Sequence, residues 1–386
     1  MPRRVLVAMV LSNLEHKSRS LGGVDSVCQM HLDALLNDTS GNDYLIVSFN
    51  PANDTSDNGK ENRLAPHVRV ISYNVKNRNS FAKFIPNVVW QNLQIEMHAR
   101  KFRPHVVHTH IPSWKIFPSC SSKKITTLHS EAWQSRSSSG FLNSLIFETL
   151  LPELGLITSA VVTTVSLDVH KKLSKRPYCR VEFVPNNVNN IYFGVERPQQ
   201  VRPDVFRFVM TGSLIPRKRV STAVDIFENA FGGVKGIRLD LIGSTEPSRY
   251  MGDLERRASQ VGGFRKTRFL GNRSAEEIAS IYRSTYCGLF LSASETFGLA
   301  PVEMLASGLP LVSTPVGVMK WDRKAFAEFG VLYVDVDDVD GAKRAILQMI
   351  KSPPTEEMRR RAREFVLHKY SAEATIGKYL GFYNKV

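Results

Sequence analysis

The chain has 386 residues, too many for one ordinary hydrophobic core, so two domains are expected. Hydrophobic residues make up 42% and charged residues 23%, which excludes a disordered or fibrous chain. The 51 Lys and Arg outnumber the 36 Asp and Glu, a formal charge of +15 that favours an anionic partner. The excess concentrates between Lys60 and Lys124, where Arg63, Arg69, Lys76, Arg78, Lys83, Arg100, Lys101, Arg103, Lys115 and Lys123 are opposed only by Glu61 and Glu96. A solvated basic face, docking on an anionic membrane surface or acceptor, and nucleic-acid binding all accommodate this run. The last finds no RNP, helix-turn-helix or zinc-finger pattern, so no nucleic acid is expected. The four cysteines, Cys28, Cys120, Cys179 and Cys287, lack C-x-x-C spacing and read as reduced thiols of a cytoplasmic protein.

In chain order, Arg3 and Arg4 followed by an apolar run superficially resemble a signal peptide. The run ends at Leu11 without a small-residue cleavage site, so Val5–Val10 reads as a buried strand. Gly22-Gly23 opens a helix through Leu36. Tyr44–Phe49 and Val68–Tyr73 read as strands flanking a polar loop, Asn50 to Gly59. Pro86 to Lys101 reads as a helix, and Val106–Thr109, Ile125–Leu128, Val161–Val165 and Val181–Val184 as further strands. The apolar stretch Phe141 to Val165 is broken by Glu148, Pro152 and Glu153, which argues against a bilayer span. Short apolar strands alternating with helices predict a doubly wound parallel α/β sheet.

The polar stretch Glu196 to Asp204 reads as a linker, after which the pattern restarts. Phe206–Thr211, Ile237–Ile242, Thr267–Leu270, Cys287–Leu291 and Leu311–Ser313 are expected strands, with helices over Thr222–Ala230 and Glu276–Arg283. Two helical runs fill Thr355 to Val386, and Ile376, Tyr379, Leu380 and Tyr383 share one face of the last.

The segment SASETFGLAPVEMLASGLPLVST, Ser292 to Thr314, carries the most chemistry. A turn at Phe297-Gly298-Leu299 feeds a helix whose unpaired first amides suit an anion. Glu295 and Glu303 bracket that turn. Carboxylates there make sense if the anion also carries hydroxyls, as a nucleotide sugar does.

Around these residues the chain resembles the retaining glycosyltransferases of family 4, in the GT-B superfamily. Glu295 and Glu303 stand in E-T-F-G-L-x-P-V-E-M-L-A-S-G-L-P. R-P-H-V-V-H-T-H at Arg103 to His110, Thr127-Leu128-His129, Val184-Pro185-Asn186-Asn187-Val188, Gly212-Ser213-Leu214-Ile215-Pro216-Arg217-Lys218, Leu241-Ile242-Gly243 and Phe269-Leu270-Gly271 follow the family's order. Asn187 replaces a glycine, and Asn is the next-best residue for a left-handed backbone. Ser213 replaces an arginine that helps neutralise the donor diphosphate, leaving Arg217 or Arg219 to compensate. His105 replaces an aspartate with no evident catalytic role.

The resemblance implies two Rossmann-like domains with parallel sheets facing an interdomain cleft: an acceptor-binding domain over 1–195 and a nucleotide-sugar-binding domain over 203–369, the helix 370–386 packing back onto the first. It implies transfer of a hexose from a nucleotide-sugar donor, UDP-hexose in preference to GDP-mannose, to a hydroxyl of a glycan or lipid-linked acceptor, with retained configuration. Cell-surface polysaccharide or lipopolysaccharide biosynthesis is the setting implied, at the inner face of the membrane. Lys218, Arg217 and the amides of Phe297, Gly298 and Leu299 would hold the diphosphate, and Gly22 and Gly23 would let the chain approach it. Glu303 would take the ribose and Glu295 the transferred sugar, Leu270 and Gly271 would edge the base, and His129 would orient sugar hydroxyls. No cofactor is implied. His108 and His110 share a strand face, but without a carboxylate at ligand spacing no metal is expected. A non-catalytic nucleotide-sugar-binding protein and a GT-B epimerase are the alternatives.

Overall fold

The structure, a computed structural model, describes residues 2–12, 23–50, 59–75, 85–116, 122–130, 144–178, 180–194, 204–244, 248–259 and 265–385. Gly22, Lys76, Arg78, Lys83 and most of the expected linker lie outside them, as do Cys120 and Cys179. The chain divides into two compact units. One contains Gly23–Asn186, the N-terminal strand and Thr375–Val386; the other contains Asn187–Ala374.

The first unit is built on strands β1 (Arg4–Met9), β2 (Asp43–Asn50), β3 (Glu61–Ala65), β4 (Val68–Asn74), β5 (Val106–Thr109), β6 (Lys123–Leu128), β7 (Val161–Thr164) and β8 (Val181–Phe183), in the order β3-β4-β2-β1-β5-β6-β7-β8. The central strands are apolar throughout because helices cover both faces: Val5 to Met9 are fully buried, with Val5 in register with Tyr44 on one side and Val106 on the other. The expectation of an all-parallel sheet needs one correction. β3 pairs antiparallel with β4. Its sequence, Glu-Asn-Arg-Leu-Ala, has no apolar run because it forms the half-exposed sheet edge, where charge discourages further pairing.

The helix Asn87–Phe102 follows Pro86 and stops at Arg103, whose left-handed backbone (φ 50°) donates its N–H to Ala99. Trp90 lies inward on this helix, with Phe49 and Tyr73 rings 6.0 and 5.6 Å away. The chain from Ser144 to Ile157 is helical, beginning with a wide π turn through Leu150. No helix among the described residues is long and apolar enough to cross a membrane. The last helix, Ala372–Lys385, buries Ile376, Tyr379 and Tyr383 and half-buries Leu380. Tyr379 and Tyr383 join Val5, Val7, Cys28 and Leu32 in the first unit's core.

The basic run is less of a surface than its composition suggests. Lys115 is buried against Glu96, with Nζ 2.5 Å from Oε2, and Arg69 is paired with Asp43 at 3.0 Å. Lys124 is also buried. Its Nζ donates to the Gly155 carbonyl at 2.9 Å, and burial, aided by the Lys115 charge, lowers its pKa to about 7.

Among the described residues, the second unit has six parallel strands, β9 (Phe206–Thr211), β10 (Ile237–Ile242), β11 (Thr267–Gly271), β12 (Cys287–Phe290), β13 (Leu311–Ser313) and β14 (Leu332–Tyr333), ordered β11-β10-β9-β12-β13-β14. The helix expected over Thr222–Ala230 starts at Val220 and widens into a π turn from Ile226. Helices Ser248–Ser259 and Val339–Lys351 and strand β14 were not read from the sequence. The two helices are charge-rich, and β14 is only two residues long.

In each sheet the strand order reverses once, between β1 and β5 and between β9 and β12. Loops leaving two such neighbouring strands part in opposite directions and open a crevice beyond their carboxyl ends, where α/β sheets bind ligands.

Candidate active site

In the second unit that crevice is framed by the loop after β9 and the loop after β12. Pro216–Lys218 forms a single 3-10 turn closed by Arg219 in the left-handed region, φ 55°. The turn brings Lys218 and Arg217 to Glu295. Lys218 Nζ donates to Glu295 Oε1, Arg217 Nη1 lies 3.2 Å from Oε2, and Ser292 Oγ donates to Oε1 at 2.8 Å. Arg217 also donates to the Ser294 carbonyl at 2.5 Å. The Glu295 side chain is only 9% exposed. Burial alone would raise its pKa, but the charges of Lys218 and Arg217 and the bonds from Lys218 and Ser292 hold it below the usual carboxylate range. Of the two arginines left open by Ser213, Arg217 belongs to this cluster, whereas Arg219 turns to the exposed carboxylate of Asp337.

Gly298 caps the helix Leu299–Ala306 from a left-handed backbone, φ 89°, which a side chain would strain. Gly317 is required sterically: at φ 56°, a Cβ there would sit 2.2 Å from the Phe297 carbonyl oxygen. That carbonyl accepts from the Val318 N–H at 2.8 Å and ties the loop after β13 beneath the Phe297-Gly298 turn. The Phe297 side chain itself is core, packed 5.6 Å from the Tyr370 ring.

Glu303, on the helix that Leu299 begins, differs from Glu295 in having no direct cation among the described hydrogen bonds and ion pairs. Desolvation pushes its pKa up to about 7, against a smaller pull from Lys218. Tyr192 and Tyr282 stand near it, their rings 5.9 Å apart, and Tyr282 shares a 2.7 Å hydrogen bond with Thr211 at the end of β9. Neither tyrosine was singled out from sequence, since nothing local marks them. Leu270 and Gly271 close β11 at the sheet edge, where Gly271 takes φ 69° and its carbonyl accepts from Gly243 at 2.9 Å.

In the first unit His129 follows β6 and His110 follows β5, both at carboxyl ends. Ser12, after β1, is held by Asp25 from the first turn of the helix Gly23–Leu36: its N–H donates at 2.8 Å and its hydroxyl at 2.6 Å. A Cβ at Gly23 would meet nothing within 4 Å, so protein packing does not demand the glycine. His129 is not solitary. Its Nε2 lies 2.8 Å from His110 Nδ1, and burial lowers its pKa to about 4, so it is neutral at neutral pH. Two trios, Cys28–His110–His129 and His31–His108–His110, have ligand-type atoms within 4.8 Å of one another. Each nitrogen of His31, His108 and His110 already has a hydrogen-bond partner, so a cation would have to displace these bonds. His31 was missed from sequence because its partners are remote.

Two motif departures can be placed. His105 Nδ1 accepts from the Arg4 N–H at 3.0 Å and fixes the start of β1. Asn187 is not among the described residues with positive φ, so the expected left-handed backbone is not used there.

Two Rossmann-like α/β units, each with its switch point at the strand carboxyl ends, define the GT-B class of fold. A sucrose-phosphate synthase structure from Thermosynechococcus elongatus matches 99% of this chain and 98% of its own at TM-score 0.76 and 17% identity. Anabaena Alr3699/HepE, solved in complex with UDP and glucose, matches 100% of both chains at TM-score 0.69 and 14% identity. Residues 195–366, less than half of the chain, match the family model described as glycosyl transferases group 1. A probable sucrose-phosphate synthase of Thermosipho melanesiensis is 24% identical over 243 residues, 59% of this chain. The matched stretches span 15% and 54% of the curated relatives' own lengths.

Proposed function

We propose that this chain is a glycosyltransferase that moves a hexose from a nucleotide-sugar donor to a hydroxyl of a glycan or lipid-linked acceptor, retaining the anomeric configuration without a metal ion. The observation that carries the reading is the Lys218–Arg217–Glu295 cluster at the second unit's switch point, with Glu303 on the adjoining helix. Breaking the sugar–phosphate bond places charge on the departing diphosphate, and preorganised cations stabilise that charge. Lys218 and Arg217 do this, aided by the first-turn amides at Gly298 and Leu299. Glu295 holds both cations in place and contacts the hydroxyls of the transferred sugar. His129 orients hydroxyls of the same sugar, and Gly22 and Gly23 leave room for the donor phosphate. Leu270 and Gly271 edge the base. On one face of the sugar the C1–phosphate bond breaks, the C1–acceptor bond forms, and the acceptor proton passes to the departing phosphate oxygen.

UDP-hexose is favoured over GDP-mannose, a choice supported by the UDP and glucose held by the Anabaena neighbour. A lipid-linked acceptor of cell-surface polysaccharide or lipopolysaccharide assembly is supported by the exposed apolar residues Leu145, Leu150, Leu154 and Ile157 and by the net positive charge, which suit an anionic membrane surface.

Glu303 supplies the test. Hydroxyl donors favour the ionised carboxylate, so binding a ribose there lowers the raised pKa of about 7, and affinity increases as pH rises through that value. Affinity for UDP-glucose, whose diphosphate diester keeps its charge in this range, should rise about tenfold from about pH 6 to about pH 8. Calorimetry on the wild type and Glu303→Gln checks this. A flat profile in the wild type, or the same slope in the variant, removes the ribose role.

A further inference from the structure

Inside the first unit a file of imidazole and phenol groups runs from His129 to the last helix. His129 Nε2 meets His110 Nδ1 at 2.8 Å, and His110 Nε2 meets His31 Nδ1 at 3.0 Å. His31 Nε2 meets the Tyr383 hydroxyl at 3.1 Å, which lies 2.6 Å from His108 Nδ1. His108 Nε2 reaches Thr127 Oγ1 at 2.7 Å, and Thr163 Oγ1 lies 2.6 Å further on. At the other end His129 Nδ1 is buried with no hydrogen-bond partner among the described residues.

Burial keeps all four imidazoles neutral at neutral pH, with His31 lowered to about 3 and His108 and His110 well below their usual value. A neutral ring has one N–H and one bare nitrogen, so every bond in the file must run in one direction. The unpartnered end decides which. A proton on His129 Nδ1 would be an orphaned buried N–H, whereas a bare Nδ1 is the cheaper buried acceptor, so the proton sits on Nε2 and donates to His110 Nδ1. His110 Nε2–H then donates to His31 Nδ1, and His31 Nε2–H to the Tyr383 hydroxyl. That hydroxyl donates to His108 Nδ1, and His108 Nε2–H to Thr127.

We propose that Tyr383, acting through His31 and His110, positions His129 as the Nε2–H tautomer, so that its Nδ1 accepts a hydrogen bond from a hydroxyl of the bound sugar. The proposal rests on the reading that His129 faces the transferred sugar. Tyr383, His31 and His110 are positioning residues, because they reach the ligand only through His129.

The tautomer can be read without an activity assay. In protein labelled with 15N-histidine, long-range proton–nitrogen correlation should show the His129 proton on Nε2. Tyr383→Phe should lose that single-tautomer pattern. Tyr44→Phe should leave it intact, since the Tyr44 hydroxyl donates to Asp38 at 2.6 Å and lies outside the file. A proton on Nδ1 in the wild type overturns the proposal even if the variant does not fold, and so does an unchanged His129 signal in folded Tyr383→Phe. If the tautomer is as inferred but no nucleotide sugar binds or reacts, the file stands and the sugar-facing role of His129 fails.

Discussion

Lys218→Ala should lower glycosyl transfer by about 100- to 1,000-fold, the usual cost of removing a group that stabilises charge in the transition state. Donor binding should weaken as well, by about 1.5–3 kcal/mol for a lost charged hydrogen bond. The variant also loses the cation that directly neutralises Glu295, whose side chain is almost wholly withdrawn from water. Arg217, more exposed and 3.2 Å away, is then the remaining paired cation. The Glu295 carboxyl should therefore rise from its depressed pKa, and part of the loss should be recovered on raising the pH. Arg219→Ala is the contrasting variant. Its partner Asp337 is 92% exposed, and such a pair contributes only about 0–1 kcal/mol. Steady-state kinetics and calorimetry with UDP-glucose read both. Wild-type donor affinity and turnover in Lys218→Ala would remove the diphosphate assignment.

Glu96→Ala should destabilise the first unit by about 3–5 kcal/mol, because it removes the carboxylate from a buried ion pair and leaves the cation behind. The Lys115 side chain is 7% exposed and its Nζ sits 2.5 Å from Glu96, while Arg100 approaches the same carboxylate from the surface at 2.8 Å. Losing the outer partner is cheap because Arg100 is 72% exposed. The inner partner has no comparable access to water. Lys115 also takes a left-handed backbone, φ 52°. Urea unfolding should show the midpoint falling in Glu96→Ala and recovering in part in Glu96→Ala/Lys115→Met, where the buried ammonium is gone as well. A loss below about 1 kcal/mol would mean that the pair is screened like a surface one.

The elements that the sequence reveals are those whose physics is local. Val106–Thr109, Phe206–Thr211, Ile237–Ile242 and Leu311–Ser313 match the expected bounds because a strand covered on both faces is short and predominantly apolar, which marks it off from its polar flanks. Edge strand β3 escapes notice because its polar pattern matches that of a loop. The cluster around Glu295 was half visible: the turn, the helix and the acids lie within one short segment, but the partner Lys218 comes from 77 residues earlier. The histidine file was almost wholly hidden. His31 and Tyr383 are 352 residues apart, and the apolar stripe that marks the last helix as a docking helix conceals what its hydroxyl does. The basic run is surface only in part, since sequence cannot tell a lysine turned inward, as Lys115 and Lys124 are, from one in water.

The placement of the last helix has a consequence for how the polypeptide matures on the ribosome. Residues after Thr375 complete the core of the unit that is synthesised first, with Asn42 Nδ2 bonded to Asn384 at 3.4 Å and Tyr383 among Val5, Val7 and Leu32. Domains ordinarily fold in the order in which they emerge. Here the earlier unit keeps an apolar face of its sheet uncovered throughout synthesis of the later one. Emergence of residues 375–386 from the exit tunnel is the event that closes it, and a chain cut short before Thr375 leaves that face bare.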